Sequence, residues 1–229
     1  MPEHTPKPQM QDPKTEPNKA DRDRKRKAST GVDLLAGGYM KVHRGLLNVP
    51  KGADPIGMLV QNIEFVRPNP FCGNRVPRTT AFLHMAGEIK YRFGGQTWTS
   101  KSVPPGEARD LVTEMLKIID VISELQPNVV LLQCYEGSDG SISWHADDEK
   151  GAMTRKDGKV LPIVSFSLGA DVQFSVRPKQ GKPRKTEKVV LRHGDVLVME
   201  HGAQELYEHA IFKGAMSGKR VSLTFRRQE

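Results

Sequence analysis

The segment WHADDEK, residues 144–150, places one histidine and three acidic side chains beside a tryptophan. Buried charge is costly unless a partner compensates it, so this cluster is either a solvated turn or a set of ligands for a metal and a polar substrate. Alternate residues of a β-strand point to the same face, so His145 and Asp147 could face one ion together. With one histidine from a distant strand, they would form a two-histidine, one-carboxylate face, which suits non-haem Fe(II) and leaves coordination positions open.

A second His-x-Asp pair, His193-Gly-Asp195, competes for this role. Its aspartate follows a glycine at the start of an apolar run, a position typical of turn residues. The later histidines that could complete this second site, His201 and His209, lie only about one hairpin beyond His193. From Asp147, by contrast, His209 is far enough along the chain for a distant strand to return across two sheets. We therefore predict His145, Asp147 and His209 as metal ligands, with a packed core histidine as the alternative interpretation of position 209.

The C-terminal segment KRVSLTFRRQ places Arg220 and Arg226 on one face of a predicted strand, with Ser222 and Thr224 between them on that face. Planar guanidinium groups bind carboxylates in a bidentate manner. Two arginines near a metal would fit a dicarboxylate whose oxo group chelates iron. The alternative is an edge strand with outward basic side chains.

Beyond residue 127 the sequence consists of short apolar runs separated by glycine-rich or charged turns. Runs rich in β-branched and aromatic residues at fairly even spacing are typical of a β-sandwich or jelly roll. The eight predicted strands are NVVLLQCY, SISWH, LPIVSFSL, DVQFSV, EKVVLRH, DVLVME, ELYEHAIF and RVSLTFR.

The region before residue 128 is mixed. MLVQNIEFV (58–66) and IKYRF (89–93) are predicted as strands. Residues 108–125 carry apolar side chains at helical spacing and are bounded by prolines on both sides, which predicts one helix.

The composition limits the class of protein. The first 30 residues contain five prolines and no aromatic residue, leucine, isoleucine or valine, so we predict a disordered basic arm over 1–30. Its Arg24–Lys27 run is either a nuclear-import signal or a nonspecific phosphate contact. The net charge of +8 suggests a polyanionic partner. Two cysteines in unrelated contexts, and the absence of a long apolar segment, favour a soluble protein of a reducing intracellular compartment, nuclear or cytoplasmic.

Taken together, these motifs resemble the AlkB family of Fe(II)/2-oxoglutarate dioxygenases, which remove alkyl groups from nucleic acid bases. The resemblance extends over roughly residues 70–227 and includes VPR (76–78), YRFGG (91–95), HADDE (145–149) and HGDVLVM (193–199). The family's C-terminal signature Arg-x-Asn-x-Thr-x-Arg is matched except for Ser222. The DDE continuation resembles the subgroup that acts on nucleic acids, viral members included.

The resemblance implies roles for the metal and cosubstrate residues. His145, Asp147 and His209 would bind Fe(II), which with O2 and 2-oxoglutarate completes the cofactor set. Arg220 would hold the distal carboxylate of 2-oxoglutarate, and Arg226 would lie nearer its chelating end. Tyr135 matches a tyrosine that hydrogen-bonds the cosubstrate. Gln133 and Ser222 replace asparagines of the family pattern and would line the same pocket.

The resemblance also implies a substrate site. Asp148 would accept a hydrogen bond from the exocyclic amine of a flipped base, and Phe93 would stack on that base, with an ordinary core phenylalanine as the alternative. Arg78 resembles an arginine of a nucleotide-recognition lid. Glu149 would hold neighbouring basic side chains. Trp144 faces away from His145 and is predicted to pack.

The expected fold is α+β, mainly β: a double-stranded β-helix (jelly roll) with a supporting helix and an N-terminal nucleotide-recognition lid. We expect the arm at 1–30, the extension, lid and helix at 31–127, and the jelly-roll core at 128–229.

The expected function is oxidative demethylation of DNA or RNA bases by a monomer that acts on single-stranded or flipped-out nucleic acid and does not bind membranes. The basic segment 177–192 would contact phosphates. The alternatives are a non-catalytic nucleic-acid-binding protein and a 2-oxoglutarate oxygenase that acts on a protein.

Overall fold

The structure is a computed structural model that describes residues 31–68, 76–93, 96–148 and 161–228, without the side chains of residues 91–93 and 96. The predicted arm at 1–30, Cys72 and Glu149 lie outside the described residues, as does the side chain of Phe93.

Fourteen strands and three α-helices are found in the described part of the chain. The helices are α1 (Pro55–Asn62), α2 (Glu107–Ile122) and α3 (Ala203–Leu206). The strands are β1 (Val32–Leu35), β2 (Met40–His43), β3 (Arg78–His84), β4 (Lys90–Phe93), β5 (Gln96–Thr99), β6 (Lys101–Ser102), β7 (Val129–Glu136), β8 (Ile142–His145), β9 (Ile163–Gly169), β10 (Val172–Pro178), β11 (Glu187–Leu191), β12 (Val196–Met199), β13 (Tyr207–Ile211) and β14 (Lys219–Arg226).

Two sheets form the jelly roll. The major sheet has eight strands in the order β1-β2-β12-β9-β14-β7-β3-β6, and the minor sheet has four in the order β11-β10-β13-β8. Strands β4 and β5 form a separate hairpin. The mainly β jelly-roll prediction is confirmed, and each of the eight strands predicted after residue 127 is present as β7 to β14.

The major sheet is buried on both faces. In β14, Val221, Leu223 and Phe225 are fully buried in the cluster that includes the apolar face of α2. Burying a large apolar side chain stabilises a fold by about 1.5–3 kcal/mol. Because strand side chains alternate, the polar residues of β14 point to the opposite face, toward the minor sheet. The predicted helix over 108–125 is confirmed by α2, which covers the first of these faces.

The predicted strand over 58–66 is wrong, because residues 55–62 form helix α1. Pro55 occupies the first turn, where its fixed φ is compatible with a helix. The Asp54 side chain accepts a hydrogen bond from the Gly57 N–H at 2.8 Å and caps the helix. Leu59 and Ile63 lie one turn apart and are both buried in the core. The apolar run suggested a strand, but the cap and the tertiary packing decide for a helix.

Five strands were not foreseen: β1, β2, β3, β5 and β6. Strands β1 and β2 extend the major sheet beyond β12, and β3 pairs with β7 through seven residues from Arg78 to His84. The major sheet therefore takes strands from both predicted regions, 31–127 and 128–229. The described helices include none that is long and apolar enough to cross a membrane.

Candidate metal centre and cosubstrate pocket

The predicted metal ligands meet in the minor sheet. Strand β8 ends at His145, whose register partner on β13 is His209. Asp147 follows two residues after His145, and its Oδ1 lies 3.7 Å from His145 Nε2. One potential ligand atom from each of the three residues lies within 4.8 Å of the others. The long separation in sequence between Asp147 and His209 is therefore closed by pairing of adjacent antiparallel strands.

The orientation of the His145 ring is set by its own strand. Its Nδ1–H donates to the Ser143 carbonyl oxygen, with 2.8 Å between nitrogen and oxygen. Because a carbonyl only accepts, Nδ1 carries a proton in this bond, and in the neutral ring Nε2 is then unprotonated. That nitrogen faces Asp147 and is available to a metal. A second hydrogen bond of this kind is the usual support of a metal-binding histidine.

His209 is buried and neutral. Its ring lies 4.2 Å from that of His145 and stacks on Phe174 at 5.3 Å between centroids. Burial, reinforced by the neighbouring His145, lowers the pKa of His209 to about 3. The imidazole is thus in the neutral form that metals require. Its Nδ1 is buried and has no hydrogen-bond partner among the described residues.

Asp147 supplies the negative charge. Burial alone would raise the pKa of its carboxyl, but the charge of Arg226, with smaller contributions from the two histidines, lowers it to about 2. Arg226 Nη2 lies 2.9 Å from Asp147 Oδ2. The resemblance placed Arg226 near the chelating end of 2-oxoglutarate; in the structure its guanidinium forms an ion pair with the metal ligand itself.

The second predicted arginine has a different environment. Arg220 is 2% exposed, and its Nε and Nη2 both donate to the Ser167 hydroxyl, at 3.1 and 2.9 Å. Its Nη1 has no hydrogen-bond partner, and no acidic side chain pairs with it, within the described ranges. Burial lowers the pKa of Arg220, yet arginine keeps its charge in proteins. A buried cation with a free donor is suited to receive a carboxylate.

The cavity between the sheets joins the metal ligands to Arg220. It measures about 270 Å³. The Tyr135 hydroxyl donates to Gln133 Oε1 at 2.9 Å, and burial raises the pKa of Tyr135, so the hydroxyl remains a donor. Gln133 is the register partner of Ser222, and Tyr135 is that of Arg220. The polar residues lining this cavity are Arg78, Gln133, Ser143, Tyr135, His145, Asp147, Ser165, His209, Arg220, Ser222, Thr224 and Arg226.

The predicted substrate residues are only partly described. Asp148 is exposed and forms an ion pair with Lys179, with 2.6 Å between Oδ2 and Nζ. Arg78 lines the cavity and donates to the Ser141 carbonyl oxygen at 3.3 Å. The side chain of Phe93 and all of Glu149 lie outside the described part, so their roles stay predictions. Trp144 packs, as predicted, edge-on against Phe212 and beneath the Arg177 guanidinium.

Three residues near the centre were missed by the sequence reasoning. Ser167 holds Arg220, Lys179 pairs with Asp148, and Gln204 accepts a hydrogen bond from the Asp147 backbone. Each contact joins residues more than 30 positions apart, so no local spacing could reveal it. The one available signal was the polar Ser165 and Ser167 within the apolar run LPIVSFSL.

The described residues fit Fe(II) and 2-oxoglutarate. Two histidines and an ionised aspartate form the donor set expected for non-haem iron with open positions. The buried Arg220, with a donor left free, matches one carboxylate of a dicarboxylate cosubstrate. Both features open into one cavity, so a molecule bound to the metal could reach Arg220 at its other end.

Comparisons with known proteins agree with this geometry. A family model described as the 2OG-Fe(II) oxygenase superfamily matches residues 40–226. DNA oxidative demethylase ALKBH2 of Arabidopsis thaliana is 30% identical over 179 residues, covering 66% of this chain and 52% of that protein. Alpha-ketoglutarate-dependent dioxygenase alkB homolog 3 of Bos taurus is 31% identical over 159 residues, covering 66% of this chain and 51% of that protein. The chain spans about half the length of these curated relatives.

The fold is also shared with a solved structure. The structure of OsALKBH1 superposes with a TM-score of 0.59 at 19% identity, covering 86% of this chain and 100% of that one. The family match extends over most of the chain and contains all three candidate metal ligands. This chain therefore belongs to the 2OG-Fe(II) oxygenase superfamily and, within it, to the AlkB family.

Proposed function

We propose that this chain is an Fe(II)/2-oxoglutarate-dependent dioxygenase that removes alkyl groups from nitrogen atoms of DNA or RNA bases. With Fe(II), 2-oxoglutarate and O2 bound, decarboxylation of 2-oxoglutarate to succinate and CO2 supplies the oxidant that hydroxylates an N-methyl group, which is then lost as formaldehyde. The difficult chemistry belongs to the cofactors, and the protein contributes binding, orientation and electrostatics.

The protein's contribution can be assigned to named side chains. His145, Asp147 and His209 would hold the iron on one side of the cavity. Arg220 would bind the distal carboxylate of 2-oxoglutarate, aided by the Tyr135 hydroxyl. Arg226 keeps Asp147 ionised through their ion pair. Apolar side chains, among them Phe174, Leu197 and Ile211, also line the cavity, and charged contacts are stronger beside such low-dielectric walls than in water.

The observation that carries the nucleic acid assignment is the basic turn beside the metal centre. Strand β10 pairs with β13, so that Val176 lies opposite His209. The turn between β10 and β11 carries exposed basic residues, and Lys179 at its start reaches Asp148, the neighbour of Asp147. A phosphate backbone that follows this turn would bring a base to Asp148 and the cavity mouth. The similar Arabidopsis protein is named a DNA oxidative demethylase, which supports the same substrate class.

A target base must leave its stack to enter such a cavity, so the substrate would be single-stranded or flipped out of a duplex. Stacking on an aromatic residue contributes on the order of 1–3 kcal/mol per base, comparable to the unstacking cost of a damaged base. Phe93 is our candidate for this contact.

The direct test is incubation of the full chain with methylated single-stranded DNA and RNA, Fe(II) and 2-oxoglutarate, followed by mass analysis of the bases. We expect loss of the methyl mass together with formaldehyde and succinate. Asp147→Asn serves as the matched inactive control. Succinate production without any change in the bases would point to an oxygenase of another substrate, and binding of nucleic acid without succinate would point to a non-catalytic binder.

A further inference from the structure

Gln204 connects two parts of the metal centre through its side-chain amide. It lies in the short helix α3, which leads directly into strand β13 and His209. The side chain is buried, and its Oε1 accepts a hydrogen bond from the Asp147 backbone N–H at 2.8 Å. Its Nε2 donates to the Met199 sulfur at 3.1 Å. Both ends of the amide are therefore satisfied within the core.

The backbone of Asp147 needs such a support. The ladder between β8 and β13 joins His145 to His209 and Ile142 to Ile211, and β8 ends at His145. Asp147 lies beyond that ladder. Its carboxylate is held by Arg226 from β14, which fixes the side chain but leaves the backbone to other contacts. Gln204 provides one from a second, separate element.

We propose that Gln204 is a positioning residue of the metal centre, which sets the place of the Asp147 carboxylate relative to His209 through the Asp147 N–H. The inference rests on the proposed metal site. It extends that site to a residue that is neither one of the candidate ligands nor part of the cavity lining. The amide couples the segment that carries His145 and Asp147 to the segment that carries His209. Loss of its acceptor oxygen would therefore leave the distance between Asp147 and His209 less tightly fixed.

The test distinguishes the hydrogen bond that the Gln204 side-chain oxygen accepts from the space that the side chain fills in the core. Gln204→Met has a similar size but no strong acceptor. Gln204→Glu retains an oxygen at the same position. Met199→Leu is the matched control, because it removes the contact at the other end of the amide and leaves the bond to Asp147 intact.

Mn(II) binding to the purified full chain would be measured by calorimetry, with Co(II) absorption as a report on ligand geometry and thermal unfolding as a report on the fold. Changes to residues that orient metal ligands cost about 10–100-fold in metal affinity. We expect that loss in Gln204→Met, together with altered visible bands at Co(II) saturation. Gln204→Glu and Met199→Leu should stay close to wild type in affinity and spectrum.

The outcomes separate this inference from the proposed function. If wild type binds Mn(II) and Gln204→Met binds it equally well, the positioning role is overturned while the metal site stands. If Gln204→Met and Met199→Leu lose the same amount of Mn(II) affinity and the Co(II) spectrum is unchanged, Gln204 contributes only to packing. That result would also overturn the positioning role. If wild type binds neither metal, both the metal site and the inference fail.

Discussion

The two His-x-Asp pairs have the same spacing and opposite surroundings. Asp195 has each of its carboxylate oxygens occupied: Oδ1 accepts from the Gly45 N–H at 2.8 Å, and Oδ2 accepts from the Arg192 N–H at 2.9 Å and from Arg44 at 2.6 Å. His193 accepts from the Gly169 N–H at 2.9 Å. Asp195 thus ties the turn before β12 to the residues that follow β2, and His193 ties it to the end of β9, as expected for a structural turn.

Asp147 and His145 are arranged differently. One carboxylate oxygen of Asp147 pairs with Arg226, while the other faces His145 Nε2 at 3.7 Å, too far for a hydrogen bond. A space between donor atoms, rather than a bond, separates the two side chains. The same spacing in sequence therefore gives a structural turn at Asp195 and a candidate metal site at Asp147. The difference is that neighbouring residues occupy both carboxylate oxygens of Asp195 with hydrogen bonds, whereas one oxygen of Asp147 remains available to a metal.

The largest expected effect is on turnover. Asp147→Asn keeps the size of the side chain and can still accept a bond from Arg226, but it lacks the negative charge that the metal needs. We expect formaldehyde release to fall to background while the thermal unfolding curve remains cooperative. His193→Ala is the control and should retain most of the activity. If the pattern were reversed, the second His-x-Asp pair would be the metal site.

Asp195→Ala should affect stability instead of chemistry. It leaves two backbone N–H groups without their acceptor and removes one of the two acidic partners of Arg44, and breaking a buried ion pair costs roughly 3–5 kcal/mol. Because Arg44 is partly exposed, we expect a loss near the lower end, about 3 kcal/mol in the free energy of unfolding. Denaturant titration measures it. Activity per folded molecule should match wild type, and a selective loss of activity would contradict the assignment.

The arginines extend the comparison. Arg220 has no acidic partner within the described residues, whereas Arg44 has two, Asp33 and Asp195. Arg220→Met should therefore leave the apoprotein at least as stable as wild type, while the 2-oxoglutarate concentration for half-maximal turnover rises. Losing one partner of a buried pair costs roughly 3–5 kcal/mol, which corresponds to at least about a hundredfold.

Arg44→Met is the matched variant, which should lower the melting temperature and leave the 2-oxoglutarate dependence unchanged. An unaltered cosubstrate dependence in Arg220→Met would mean that the carboxylate is bound elsewhere.

A smaller effect is expected from the basic turn between β10 and β11. Replacing Lys182, Arg184 and Lys185 of the turn, together with Lys188 of the adjoining strand β11, with alanine should weaken binding of a methylated single strand at all sequences. Each neutralised phosphate contributes about 0.7 to the slope of log K against log salt. Arg184 is partly compensated by Glu208 at 3.1 Å, so we expect the slope to flatten by about 2. The measurement is a set of binding titrations of wild type and variant at several salt concentrations. Equal slopes of log K against log salt for the two proteins would mean that the turn does not contact the nucleic acid.

The smallest expected effect concerns the two departures from the family pattern. Gln133 and Ser222 are direct register partners, so a longer side chain on one strand faces a shorter one on the other. Gln133→Asn and Ser222→Asn should each weaken 2-oxoglutarate binding, and the double variant should recover part of the loss. Coupling between residues in contact is typically 0.5–3 kcal/mol. Strictly additive losses in a double-mutant cycle would show that the two positions are independent.

Much of the fold and of the candidate site could be predicted from the sequence. The strands after residue 127 were found because their side chains alternate between two environments, and the helix at Glu107–Ile122 because its apolar residues recur at helical spacing. Strands β1 and β2 were missed because they are four residues long and separated by a glycine-containing turn. Helix α1 was missed because its apolar residues form a continuous run, in which strand and helix have no distinguishing period.

The sequence by itself determined which side chains of β14 share a face: Arg220, Ser222, Thr224 and Arg226. That information is local, since it depends only on the two-residue period of a strand. The tertiary structure alone decided the partner of each charge. Arg226 pairs with Asp147, Arg220 keeps a free donor, and Gln204 supports the Asp147 backbone. Those contacts join strands that are distant in the chain, and the burial that sets their strength arises only when both sheets and the helices have packed.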